Sequence, residues 1–129
     1  MGDRFSFRGD FRGSILNIKS ELKNVQQSVG KIPTEDESTK LELQKLIQQL
    51  STELEKAPPE KQEDTQAVVE TAKALVDQAN APRPNKTLLQ ISGEGLKQAA
   101  KNLADVTPTI LSIATQIVMA VARITGTAG

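Results

Sequence analysis

The sequence predicts an all-α fold, an antiparallel bundle of about five helices preceded by a β-prone arm at residues 1–13, and three observations carry that reading. From Ser14 onward apolar residues recur in alternating steps of three and four, which is the period of one helix face. Prolines, glycines and clusters of acids break this pattern at intervals suited to helix ends. All three aromatic residues of the 129-residue chain, Phe5, Phe7 and Phe11, lie ahead of it.

The arm comes first. Phe5, Phe7 and Phe11 occupy odd positions with Arg4, Ser6, Arg8 and Arg12 between them, an alternation of strand type. Gly9-Asp10 and Gly13 offer turn positions, so the stretch reads as a bent strand, a small hairpin or a flexible arm. Its rings either cover one open end of the helices or pair with the same arm of another chain, since an edge without its own sheet is marginal in water.

The helical domain spans residues 14–129. In helix 1 the stripe is Ile15, Ile18, Leu22, Val25 and Val29, and Gly30 ends it. Thr34-Glu35-Asp36-Glu37 then reads as a capping box, the threonine and the glutamate three residues on satisfying each other's neighbouring amides. Helix 2 follows with Leu43, Ile47, Leu50, Leu54 and Ala57, widened by Leu41 and Leu46, and Pro58-Pro59 stops it.

Pro59 also suits the first turn of helix 3, where Glu60, Glu63 and Asp64 favour the positive end of the dipole. Its seam is Val68, Ala72, Leu75 and Ala79 with Val69 and Val76 alongside, narrow enough for a neighbour to approach closely. After the irregular link Ala81-Pro82-Arg83-Pro84-Asn85, helix 4 runs from about Thr87 to Ala104, with Leu88, Leu89, Ile91, Leu96, Ala99, Ala100 and Leu103 as buried candidates. Gly93 and Gly95 each cost it about 1 kcal/mol relative to alanine, which points to a kink or a tight crossing near Gly95.

Thr107-Pro108 supplies a cap and a first-turn proline for helix 5, which reaches about Thr125 before Gly126. No charge falls between Asp105 and Arg123, and apolar residues surround most of the helix, interrupted only by Thr109, Ser112, Thr115 and Gln116. Such a helix belongs in the middle of a bundle, in an oligomer interface or in lipid. Residues 108–124 span about 25 Å at about 1.5 Å per residue, short of the roughly 30 Å bilayer core, and no Trp or Tyr anchors flank them. Helix 5 is therefore expected near the bundle centre, with helices 2 and 3 forming the clearest hairpin.

Composition narrows the function classes. The absence of His and Cys removes thiolate nucleophiles, disulfides, zinc fingers, iron–sulfur ligation and Ser-His-Asp triads. With zero formal net charge and few aromatics, long-range attraction to nucleic acid and base stacking are both weak, so nucleic acid is not an expected partner. Charge is nonetheless unevenly placed, with net values of +3, −5 and +2 over residues 1–31, 32–64 and 65–129. Those blocks are expected to steer the basic arm toward acidic helix 2 and the start of helix 3, of its own chain or of a neighbour, an attraction screened beyond about 8 Å at physiological salt. Met1-Gly2-Asp3-Arg4 leads into polar residues rather than an apolar run, so a cytoplasmic setting is expected.

Short motifs have plain readings. Arg8-Gly9-Asp10 spells an adhesion tripeptide of a length that arises by chance, and Ser92-Gly93-Glu94-Gly95-Leu96-Lys97 lacks the spacing and strand context of a phosphate loop. The acidic clusters at residues 35–37 and 60–64 stand at helix starts, where they stabilise the dipole, and they lack the ordered ligands and internal glycine of a calcium loop. No metal, cofactor or catalytic residue is expected, and the chain reads as a non-enzyme.

Phe7-Arg8-Gly9-Asp10-Phe11-Arg12-Gly13-Ser14, continuing into Ile15-Leu16-Asn17-Ile18-Lys19-Ser20, resembles the N-terminal segments of uncharacterised, mainly cyanobacterial, helical proteins. More loosely, it is similar to the short signalling motifs of bacterial immunity and cell-death proteins with Bell or HeLo-like bundles. That resemblance implies a motif that templates assembly and a bundle that acts on membranes. The expected function is thus an interaction or self-assembly module in bacterial signalling, forming a homo-oligomer or binding a protein partner. Phe5, Phe7 and Phe11 of the arm and Ile113, Ile117 and Val121 of helix 5 are the expected interaction residues. The alternative is a membrane-active effector whose helix 5 enters lipid on activation.

Overall fold

The structure, a computed structural model, describes the backbone of residues 11–126 and side chains from Ile18 onward. Among the described residues there are five α-helices and no strand: α1 (Phe11–Gly30), α2 (Glu37–Leu54), α3 (Gln62–Ala79), α4 (Lys86–Lys101) and α5 (Thr109–Thr125), with one 3-10 turn at Pro59–Lys61 ahead of α3. α1 starts three residues before the expected Ser14, so Phe11, Arg12 and Gly13 are helical. The β-prone reading of residues 1–10 falls outside the described residues.

The stripes behave as their spacing requires. Ile18, Leu22, Val25 and Val29 of α1 are buried, as are Leu43, Leu46, Ile47, Leu50 and Leu54 of α2 and the whole expected seam of α3. Three apolar residues off the stripes depart from expectation: Leu41 is 58 % exposed, Leu88 46 % and Ile91 61 %. Each points away from its helix's buried side, since Leu41 stands two residues from the seam residue Leu43, and Leu88 and Ile91 one and two residues from Leu89, offsets that do not share a face in a 3.6-residue turn.

Helix ends refine the expected caps. α2 is capped by Asp36, not Thr34: the Asp36 carboxylate accepts from the Thr39 amide at 3.0 Å and the Thr39 hydroxyl at 2.7 Å, while Thr34 Oγ1 accepts from the Asp36 amide at 3.1 Å. Those two bonds from Thr39, side chain first, pull the Asp36 pKa below its ordinary value. Asn85 caps α4 by accepting from the Leu88 amide at 3.0 Å. α5 closes on Gly126, whose φ of 73° is the left-handed cap that glycine adopts without a Cβ penalty.

Packing follows a ring in the order α1, α2, α5, α4, α3 and back to α1, with α3 and α5 also touching across the interior. Gln26 and Gln44 pin α1 to α2 reciprocally, each side-chain amide donating to the other's backbone carbonyl at 3.0 and 3.2 Å. An odd ring cannot alternate direction at every step. The parallel step is α1 with α3, whose C-terminal ends meet where Asn80 Nδ2 donates to the Ser28 carbonyl at 2.9 Å. Consequently α2 lies along α1 and α5 rather than α3, and the expected hairpin of helices 2 and 3 does not form.

α5 is also not central. It is one stave of the ring, burying Ile110, Ile113, Ala114, Ile117, Ala120 and Val121. Thr109, Ser112, Gln116, Met119 and Arg123 are exposed, in steps of three and four, so the residues that interrupt its apolar run form one outward stripe. Among the described residues no helix is long and apolar enough to cross a membrane.

Candidate functional site

Glycine sets how closely the staves approach on one side of α5. A Cβ on Gly93 would lie 3.0 Å from Val118 Cγ1 of α5, and one on Gly95 would lie 3.2 Å from Thr71 Cγ2 of α3. The two glycines therefore serve two neighbours, and α4 runs continuously through both.

On the other side α5 is latched to α2 by polar groups. Glu53 Oε1 accepts the Thr107 hydroxyl and, at 2.7 Å, the Thr109 hydroxyl, while Oε2 accepts Lys56 Nζ at 2.8 Å. Thr107 is buried, and its hydroxyl bonds Glu53 rather than capping α5 as expected; its carbonyl accepts the Ile110 amide at 3.1 Å. Lys56 first, then the Thr107 and Thr109 hydroxyls, pull the Glu53 pKa from 4.5 down to about 2. A carboxylate so satisfied is a poor proton donor or acceptor near neutral pH. At the far end Arg123 meets Glu42 at 3.5 Å, both side chains about half exposed.

Beside the Glu53 latch, the outward sides of α2 and α5 form an open groove of about 400 Å³, lined mainly by Gln49, Thr52, Ser112 and Ile113 with Glu53 and Thr109 at its end. Met119, 57 % exposed, stands two turns further along α5 on the same outward stripe.

The expected interaction residues divide. Phe5 and Phe7 lie outside the described residues, and Phe11 opens α1. Ile113, Ile117 and Val121 are 7 %, 0 % and 1 % exposed, packed into the chain's own core. The exposed side of α5 is instead Thr109, Ser112, Gln116, Met119 and Arg123. Its signal was present in the sequence as the spacing of the polar interruptions. Glu53 had no such signal, because nothing local separates it from the other glutamates of residues 32–64.

Elsewhere, a crevice of about 70 Å³ between α1 and α3 is lined by Glu21, Asn24, Ser28, Lys73 and Asp77, and Glu21 Oε2 is buried there without a hydrogen-bond partner. Among the described residues no group of three or more acids has metal-binding geometry. Comparison of the chain with family models, curated proteins and solved structures gives no match.

Proposed function

We propose that this chain is a non-enzymatic interaction module that self-associates through the outward face of α5 and the adjoining side of α2, in a cytoplasmic setting. One observation carries the reading. Over the three turns from Thr109 to Met119 the exposed side of α5 bears no charge. The exposed sides of the other helices do: Lys23 on α1, Lys45 on α2, Glu70 and Asp77 on α3, Glu94 on α4. Interface centres are depleted of charge, and interfaces are enriched in methionine and arginine relative to the rest of the surface; Met119 and Arg123 both stand on this face.

Solution mass across a wide range of concentration tests this. The full chain should move from one to two chain masses as concentration rises, and a chain lacking residues 1–10 should behave alike. A single chain mass throughout overturns self-association, and loss of the larger species on trimming moves the interface to the arm. Dye-filled vesicles should stay intact; leakage would favour the membrane-active alternative.

A further inference from the structure

We infer that two copies of this chain pair antiparallel about a two-fold axis crossing α5 between Thr115 and Gln116, each Met119 filling the other copy's groove beside Ser112. This rests on the self-association reading and adds its geometry. In an isologous interface, if position i meets position j, then j meets i. A surface that carries both a protrusion and a matching recess can therefore mate with itself, provided the axis lies midway between them.

That condition is met on α5. Met119 is 57 % exposed, a long side chain able to reach outward, and Ser112 borders the groove, on one stripe and seven residues apart, about 10.5 Å along the helix. The small serine leaves room for the long thioether, and methionine adapts to irregular recesses. Gln116 falls beside the axis, where its side-chain amide, which within its own helix donates to the Ser112 carbonyl at 3.3 Å and hydroxyl at 3.2 Å, can exchange those bonds for one across copies.

Charge agrees with the same axis. Arg123 and Glu42 stand at one end of the face, Glu53 and Lys56 at the other. The two-fold sets one end against the other, so Arg123 comes level with the second copy's Glu53, and Glu42 with its Lys56. Opposite signs meet at both ends, and between them the exposed side of α5 carries no charge, while Lys45 stands on the exposed side of α2. Antiparallel α5 helices also oppose their macrodipoles, whereas a parallel pair would align them and set Arg123 beside Arg123. A face two helices wide and about 25 Å long offers about 500 Å² per copy, the size of a weak, concentration-dependent pair.

The chain has no native cysteine, which allows a positional test. A Met119→Cys chain mixed with a Ser112→Cys chain should form a mixed disulfide on mild oxidation, at least tenfold faster than two Met119→Cys chains or a Gln98→Cys control. Met119→Lys should raise the dissociation constant at least tenfold by sedimentation while leaving the far-UV spectrum and melting midpoint near those of the parent. Ser112→Arg, which fills the recess, should do the same. If the parent dimerises but neither the mixed disulfide nor the two substitutions behave so, this geometry is wrong and self-association stands. If the parent stays a single chain throughout, both fall.

Discussion

The two flanks of α5 are held by different physics. Toward α4 the contact is apolar and close, with Val118 seated over Gly93 where a side chain would intrude. Toward α2 it is punctuated by polar groups, Glu53 latching Thr107 and Thr109 at one end and Glu42 facing Arg123 at the other. Burial is non-directional and fixes how near two helices come, while hydrogen bonds specify which residues stand level. The first flank thus sets depth and the second sets register, and removing each should have a different signature.

Core loss gives the largest expected effect, because it strikes the side of α5 that faces both neighbours. Ile117→Ala should destabilise the chain by about 2–5 kcal/mol in denaturant titration, since Ile117 is fully buried and its cavity is closed by surrounding helices. A loss below about 1 kcal/mol, outside that range for a buried isoleucine, would mean that α5 is not a stave of the bundle.

Register should be next. Glu53→Gln removes the charge but keeps the shape, and should cost about 1–3 kcal/mol, since one of the two accepting oxygens becomes an NH2 group that cannot accept and the bonds left on the other lose their charge assistance. The effect has a pH signature. Because the folded pKa of about 2 lies below the ordinary 4.5, the carboxylate's contribution is complete above about 4.5 and is lost as pH falls from there through about 2. Parent and Glu53→Gln stabilities, measured by melting against pH, should converge at the acid end of that window. A constant gap down to the lowest pH would show that the carboxylate is not what the latch depends on.

The glycine flank predicts a smaller, coupled effect. Gly93→Ala gains about 1 kcal/mol of helix propensity but forces Val118 aside, and β-branched valine has few rotamers to move to. We expect a net loss of about 1 kcal/mol, by the usual cost of overpacking, which Val118→Ala in the same chain should offset. Additive single and double substitutions would show that depth is not set there.

These contrasts also mark what was legible in the sequence. The seams of α2 and α3 were readable because Leu, Ile and Val recur at helical spacing, and Val68, Ala72, Leu75 and Ala79 are all buried. Which seams meet was not readable. Periodicity defines a face but not its partner, so α2 paired with α5 instead of the α3 that follows it. α5 looked apolar all round because Thr, Ser and Gln are short or uncharged and Met119 is hydrophobic, yet these residues line its outer side. The Thr107 hydroxyl, fitting as a local cap, instead bonds a carboxylate 54 residues away that no local pattern could supply.

The smallest expected effect separates the two ends of the polar flank. Arg123 and Glu42 are about half exposed at 3.5 Å, so Coulomb attraction between them is screened by water and opposed by the entropy of two long side chains. Arg123 also sits in the last turn of α5, where a positive charge offsets the helix dipole by about 0.3–1 kcal/mol. Arg123→Ala should therefore lower folding stability by no more than about 1 kcal/mol, with most of that disappearing in high salt. If it instead costs as much as Glu53→Gln, both ends fix the register of α5 on α2. The expected inequality means that the helix is located at its N-terminal end, beside the groove, and that Arg123 is free to change acidic partners without unfolding the chain.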